Sequence, residues 1–238
     1  MVAAILPLVL DEIVLRRQGR RILGPVSLNV EAGGITILMG PNGSGKTSLL
    51  RAMHGLERLS AGSLHWRVPE IETRARQAFV FQSPIVLRRS VVDNIAYPLI
   101  LDGMSRKAAR ALAAARAEEV GLGELLGRPA QVISGGEKQK LALARALMRE
   151  PEVLFLDEPC ANLDPRAMRD IETILRKAAD AGTKIVMSTH DSGQARRLAQ
   201  DILFLCDGRV IEAAPSDAFF ALPKTPEARA HINGDLLP

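Results

Sequence analysis

Cysteine is nearly missing from this chain: Cys160 and Cys206 stand alone among 238 residues, without CxxC spacing and without a histidine cluster nearby. That excludes a disulfide framework and a thiolate zinc site, and it fits a reducing compartment. Long apolar runs are missing too. No uncharged stretch approaches the roughly 18 residues that span a bilayer, so any membrane role is borrowed from a partner. No run of five like charges marks a nucleic-acid-binding tail. With 31 basic against 27 acidic residues the net charge is only +4, so a pI near 9.4 says little about partners. Internal repeats, low-complexity segments and an obvious interdomain linker are also lacking. The apolar start, Met1 to Leu10, has no basic leader, is broken by Pro7 and runs into Asp11 and Glu12, which reads as a first strand and not as a signal peptide.

What is present is ordinary for a globular protein, 47% hydrophobic and 24% charged, with length for one sizeable core or at most two small domains. Short apolar runs bounded by turn residues read as buried strands: Ile35 to Met39, Ala78 to Phe81, Val153 to Leu156, Ile185 to Thr189 and Ile202 to Leu205. Helical patterns fall at Lys46 to Leu56, Arg106 to Val120, Glu137 to Met148, Arg166 to Ala181 and Gln194 to Gln200. That alternation is expected of an α/β fold with a mostly parallel sheet. Leu8 to Val30 carries strand-like stretches around Gly19 and Gly24 and suggests an antiparallel β flap beside that sheet. From Pro84 to Arg149 no convincing core strand appears, so this stretch is expected to be an inserted helical subdomain. Asp207-Gly208 signals a hairpin leading to Arg209–Glu212, and Ser216 is placed to cap a short helix through Phe220. Beyond Pro223 the tail is punctuated by proline and is expected to dock weakly.

Gly40-Pro41-Asn42-Gly43-Ser44-Gly45-Lys46-Thr47 matches the phosphate-binding P-loop, in the required setting between a strand and a helix. Glycines let backbone N–H groups approach a phosphate, the helix N-terminus adds a favourable dipole, Lys46 supplies charge, and the Thr47 hydroxyl can ligate Mg²⁺. Val153 to Glu158 is an apolar strand ending in two carboxylates, and ligands in open α/β sheets lie beyond the carboxyl ends of strands. Asp157 is therefore expected to reach Mg²⁺, and Glu158 to take a proton from an attacking water. Alone, the pair reads equally well as an exposed acidic turn. Ser134-Gly135-Gly136-Glu137 opens a helix whose Leu141, Ala144, Leu147 and Met148 form an apolar face. By itself that is ordinary capping.

P-loop, Gln82 after a strand, the Ser-Gly-Gly-Glu helix start, the two carboxylates, Ala161-Asn162-Leu163-Asp164 and then His190 after another strand: in this order the set resembles the ATP-binding-cassette family, from about Leu8 to Glu212. The most specific element is Ile133-Ser134-Gly135-Gly136-Glu137, close to the family's Leu-Ser-Gly-Gly-Gln. The resemblance implies a single ATPase domain over 1–238, with a P-loop NTPase core at about 1–82 and 150–213, a helical subdomain at about 83–149 and a tail at 214–238. It implies ATP contacts at Arg17, at Gly40 through Ser48, at Ser134, Gly135, Gly136 and Glu137, and at Asp164. It implies Mg²⁺ at Thr47, Gln82 and Asp157, and catalytic roles for Glu158, His190 and Gln82. Ser134 and Gly136 of one chain would close over ATP held by Lys46 of another, as a homodimer of cassettes, with Asp164 coupling the two sites.

Three departures stand out. Arg17 occupies the place where the family stacks an aromatic residue on adenine, and with only Tyr97 and Trp66 besides phenylalanine no aromatic substitute lies nearby. A guanidinium can stack on a base. Glu137 replaces glutamine, and Cys160 stands where serine or threonine is common. A free-standing cassette without membrane spans resembles the energising subunit of an importer. It would be peripheral at the cytoplasmic face of the plasma membrane, bound to permease subunits and served indirectly by a solute-binding protein, with no nucleic acid expected. Pro84 to Leu101 resembles the surface that receives a short permease helix. Ile85, Val86, Leu87, Val91, Val92 and Ile95 then either line that groove, with Arg88 and Arg89 pairing acids, or form the core of the helical subdomain. The Gln194–Ala199 helix and the Phe219–Pro223 tail resemble oxyanion cassettes, tungstate first, with polar amino-acid importers or exporters as alternatives. A soluble P-loop nucleotidase and a nucleic-acid-stimulated ATPase are the readings from other classes.

Overall fold

The computed structural model describes residues 4–235, so Met1 to Ala3 of the expected first strand and residues 236–238 of the tail lie outside the described residues. In chain order the elements are β1 (Leu8–Arg17), β2 (Arg20–Val30), β3 (Ile35–Met39), α1 (Lys46–His54), β4 (Ala61–Trp66), α2 (Glu70–Thr73), β5 (Gln77–Val80), α3 (Val91–Leu101), α4 (Arg106–Glu119), α5 (Gly135–Leu147), β6 (Val153–Asp157), α6 (Pro165–Asp180), β7 (Lys184–Ser188), α7 (Ser192–Leu198), β8 (Asp201–Cys206), β9 (Arg209–Pro215), α8 (Ser216–Ala221) and α9 (Pro226–Asn233).

Among the described residues the strands form two sheets. The larger has the order β5-β6-β7-β3-β8-β9 and is parallel except for the edge strand β9, which returns from the Asp207-Gly208 turn. Its central strands β3, β6 and β7 are buried at every position, which is why they read as unbroken apolar runs instead of alternating ones. Alternation is still present, between the two faces. In β6, Val153 and Phe155 pack into the cluster made with β1, β2 and α1, while Leu154 and Leu156 pack into the cluster made with α3 to α6. This order sets the ends of β5, β6, β7 and β3 side by side at one edge of the sheet. The segments after these four strands hold Gln82, Asp157-Glu158, His190 and the P-loop, so residues spread over the chain are brought together by topology.

The smaller sheet is antiparallel, in the order β2-β1-β4. Gln18 (φ 50°) and Gly19 (φ 76°) make the tight turn between β1 and β2, a turn that needs positive φ at both central positions. The flap was legible; its third strand, β4, was not. Ala61–Trp66 is half exposed and holds Gly62, so it lacks both apolar continuity and clean alternation.

Between β5 and β6 come α3, α4 and α5. Ala109, Ala113 and Ala117 form a buried stripe on α4, small enough for close approach to α3. Val91, Val92 and Ile95 are fully or almost fully buried in this core, so of the two readings of Pro84 to Leu101 they take the core one, while Ile85 remains 64% exposed. Arg89 lies over the Tyr97 ring at 5.1 Å.

Three expectations about ends are corrected. Ser216 is not a cap: α8 begins after Pro215 with no side-chain cap, and the Ser216 N–H donates to the Gln200 carbonyl. The tail does not dock weakly. Pro226 starts α9 at its first position, where proline is tolerated, behind a Thr225 cap, and Ala228 is fully buried. The helix placed at Gln194 to Gln200 runs from Ser192 to Leu198, because Asp191 caps it by accepting from the Gln194 N–H at 2.8 Å.

Candidate functional site

The P-loop joins β3 to α1 in a conformation that its glycines make possible. At Gly40 φ is 137° and an added Cβ would land 2.0 Å from the Leu205 carbonyl oxygen, so the turn closes only without a side chain. Gly45, at φ 101°, precedes α1, which has no side-chain cap and no acid in its first turn. The first N–H groups of a helix have no intrahelical partner, and here no side chain claims them either. Lys46 opens the helix 6% exposed, and its Nζ donates to the Gly40 carbonyl at 2.8 Å and the Pro41 carbonyl at 3.0 Å. Burial lowers its proton affinity, and the carboxylates of Glu158 and Asp157 oppose that shift. Thr47 and Ser48 follow in the first turn, both half-buried.

At the end of β6 the two carboxylates part. Asp157 is 4% exposed, and its Oδ1 accepts from Thr47 Oγ1 at 2.8 Å and Ser188 Oγ at 2.9 Å. Glu158 has φ 43°, uncommon for a side chain with a Cβ, and it turns away from Asp157 so that Oε2 lies 3.2 Å from His190 Nδ1. Ser188 joins the two, since its Oγ also accepts from the Glu158 N–H at 3.0 Å. Sequence reasoning passed over Ser188. It ends β7 two residues before His190, where a lone serine carries no signal until β6 is known to be its neighbour.

Gly40, Pro41, Asn42, Gln82, Glu158 and His190 line one cavity of about 580 Å³, together with Ala161, Asn162 and the unforeseen His231 from α9. Ser134, Gly135, Gly136 and Glu137 line a different one, of about 380 Å³, with Asp164, Lys140 and Asp170. Asn162, at φ 60°, is the one residue common to both linings. One chain therefore presents the two motif groups as separate surfaces. At the second, Ser134 and Glu137 form a reciprocal capping box, with the Ser134 N–H to Glu137 Oε2 at 2.6 Å and the Glu137 N–H to Ser134 Oγ at 3.3 Å. Asp164 caps α6 by accepting from the Arg166 and Ala167 N–H groups, which hold its carboxyl below the usual range. Arg17, at the end of β1, bonds Glu57 Oε1 at 3.0 Å and is absent from the lining of the P-loop cavity. Burial pushes the Cys160 thiol up to about 11, which keeps it an inert packing group.

Hydroxyl, carboxylate and amide oxygens at Thr47, Asp157 and Gln82 are hard donors that suit Mg²⁺. Among the described residues no cluster of three His, Cys, Asp or Glu forms a metal cage.

The family model described as ABC transporter matches residues 23–161. The tungstate uptake system ATP-binding protein TupC of Peptoclostridium acidaminophilum is 40% identical over 204 residues, a match covering 85% of this chain and 94% of that protein. The phosphate import ATP-binding protein PstB 2 of Natronomonas pharaonis is 35% identical over 237 residues, covering 92% and 84%. Other relatives are named for sulfate/thiosulfate import and for glutamate transport. A solved dimeric ATP-binding cassette, in a post-hydrolysis state bound to ADP and Pi, superposes with a TM-score of 0.78 at 26% identity and covers 88% of this chain and 98% of that one.

Proposed function

The chain belongs to the ABC transporter family and is an ATPase, and on that premise we propose that it energises import of an oxyanion such as tungstate, as a homodimer bound to permease subunits at the cytoplasmic face of the membrane. The observation that carries the catalytic part is the split at the end of β6. Thr47 and Ser188 hydroxyls converge on Asp157, while Glu158 turns the other way toward His190.

The backbone N–H groups from Gly43 to Ser48, with the Lys46 ammonium, hold the β- and γ-phosphates of ATP, since α1 offers uncapped donors and a positive dipole end. Thr47, Gln82 and Asp157 would hold Mg²⁺, which would neutralise phosphate charge when bound. Glu158 accepts a proton from the attacking water, and His190 both orients that carboxylate and contacts the γ-phosphate. Arg17, which stands where the family stacks an aromatic residue on adenine, takes that role by leaving Glu57 and stacking its guanidinium on the base.

Ser134, Gly135, Gly136 and Glu137 act on the ATP of the partner chain, a reading supported by their lying in a cavity separate from their own P-loop. Asp164 and Asn162, in the turn between the two cavities, couple the sites. The helical insertion, about 83–149, moves against a core of about 1–82 and 150–213 when the dimer closes. No described helix is long and apolar enough to cross a membrane, so attachment is through the permease. Exposed Ile85 remains available to that contact, and a solute-binding protein acts on the far side. For the solute, relatives named for tungstate and phosphate favour an oxyanion.

The test is ATP hydrolysis against protein concentration for wild type, Glu158→Gln and Ser134→Arg. Turnover rising more than linearly, an ATP-trapped dimer with Glu158→Gln, and an inactive Ser134→Arg that mixing with Lys46→Ala partly restores all follow from a two-chain ATP sandwich. Constant activity per chain with a harmless Ser134→Arg would overturn it. The solute is tested with the reconstituted importer, where tungstate-loaded binding protein should stimulate ATP turnover and a glutamate-loaded one should not; the reverse result removes the oxyanion.

A further inference from the structure

The last helix of the chain ends beside the phosphate loop. Glu212 anchors its start, accepting from the Lys224 N–H at 3.0 Å, the Thr225 N–H at 3.1 Å and the Thr225 hydroxyl at 3.1 Å, and Thr225 Oγ1 accepts from the Ala228 N–H at 3.3 Å. One turn on, His231 lays its ring against Phe204, with centroids 5.3 Å apart. Phe204 is the β8 residue paired with Met39, which immediately precedes Gly40. This succession of contacts brings His231 into the wall of the 580 Å³ cavity that Pro41, Gln82, Glu158 and His190 also line.

Two observations separate His231 from a ring that only fills space. Its Nε2 is buried and, among the described residues, has no hydrogen-bond partner, whereas buried polar atoms are nearly always paired. Burial, followed by the nearby Lys46 and His190, lowers its proton affinity, which favours the neutral ring with its one N–H donor.

We propose that His231 is a binding residue for the terminal phosphate of ATP, donating a hydrogen bond to a γ-phosphate oxygen from the C-terminal helix of the same chain. The inference rests on the P-loop cavity being the ATP site, as proposed above. It makes the tail part of the nucleotide pocket and gives α9 a reason to be anchored so firmly. It also distinguishes ATP from ADP, because only ATP carries the γ-phosphate.

The experiment compares equilibrium binding of ADP and of β,γ-imido ATP to wild type, His231→Phe, His231→Gln and His231→Ala, with melting temperatures alongside. Phenylalanine keeps the packing on Phe204 and removes the polar edge. The expected result is unchanged melting and ADP binding within about twofold of wild type for His231→Phe, with affinity for the imido analogue lowered about tenfold, the size of a lost hydrogen bond to a charged group. Partial recovery is expected in His231→Gln. Equal binding of the analogue by His231→Phe and wild type overturns the proposal, as does an equal loss of both nucleotides, which would make the residue structural. Wild type that binds neither nucleotide overturns the ATP-site reading itself and this proposal with it.

Discussion

Two helices in this chain begin on turns of serine and glycine, and they satisfy their first N–H groups in opposite ways. α1 starts from Gly45 in a left-handed conformation, with no side-chain cap, no acid in its first turn and Lys46 at its first position. α5 starts from Ser134, whose hydroxyl takes one backbone donor while the Glu137 carboxylate takes another, and that carboxylate places a negative charge at the positive end of the helix. The first end is open to an anion, and the second is closed on itself. Glycine content does not separate them. What separates them is whether the backbone donors already have an internal partner. On the proposed reading, α1 holds phosphate unaided, while α5 must exchange part of its own cap for the phosphate of a partner chain.

The largest way to break this comparison is to remove the charge at the open end. Lys46→Ala should lower ATP hydrolysis by at least about a hundredfold, the scale seen when one preorganised donor to a developing charge is lost. Thermal unfolding should move little or upward, because Lys46 is a desolvated ammonium resting on two carbonyls. Steady-state turnover together with a melt checks both parts. A Lys46→Ala chain that keeps a tenth or more of wild-type turnover would mean that the open helix end binds phosphate by backbone and dipole alone.

The opposite ends of the same helices give the next effect. Cations are favoured at a helix C-terminus, and α5 ends near Arg145, whose guanidinium donates to the Ile85 carbonyl at 2.7 Å. α1 ends at His54, where burial against Phe79 and Phe155 outweighs the dipole and lowers the ring from its ordinary value near 6.5 to about 4. Above pH 6.5 the ring is neutral in folded and unfolded chains alike and has no effect on stability. As pH falls from 6.5 toward 4 the unfolded chain takes up a proton that the folded chain refuses. Stability then drops, by roughly 3–4 kcal/mol at most, and levels off below 4. Urea unfolding at a series of pH values should show a flatter acid limb for His54→Phe than for wild type. Parallel curves would mean that His54 opens to solvent without cost.

The two helix starts also measure how far the sequence could be read. The P-loop, the β6 carboxylates and the Ser134 helix start are contiguous motifs, so their place between strand and helix was visible in the order of residues, and β3, β6 and β7 were visible because full burial leaves them uninterruptedly apolar. Ser188 and His231 were not visible. Each acts through a neighbour supplied by the sheet, β6 for Ser188 and β8 for His231, and a single polar residue carries no trace of a cross-strand partner. β4 was lost for a related reason: an exposed edge strand has too little burial to impose a pattern. The weakly docked tail was misjudged because proline was taken as a breaker, whereas Pro226 after a Thr225 cap is a helix start.

Smaller effects come from opening the closed end. Ser134→Ala removes one half of the capping box and should cost about 1 kcal/mol of stability, read in a denaturant melt. Binding of nucleotide to the isolated chain should stay the same, because Ser134 lies in a different cavity from the P-loop. A fall in single-chain affinity would show the two helix starts to be linked within one chain.

Glu137→Gln is the finest discriminator, since glutamine can occupy the same place in a capping box while removing the charge. Loss of the favourable carboxylate–dipole interaction should lower stability by a few tenths of a kcal/mol at most, because the site is exposed. In the closed dimer the sign reverses. If, as proposed, Glu137 lies beside the partner's γ-phosphate, its carboxylate repels that group and the neutral amide does not, so ATP-dependent dimerisation of the Glu158→Gln background should tighten by about two- to fivefold when Glu137→Gln is added, with the gain fading as salt screens the repulsion. Sedimentation at low and high ionic strength measures this directly. A dimer that is weakened instead would place Glu137 in an attractive contact, such as a cation on the partner chain, and the closed helix end would then be a recognition element in its own right and not merely a cap that yields to phosphate.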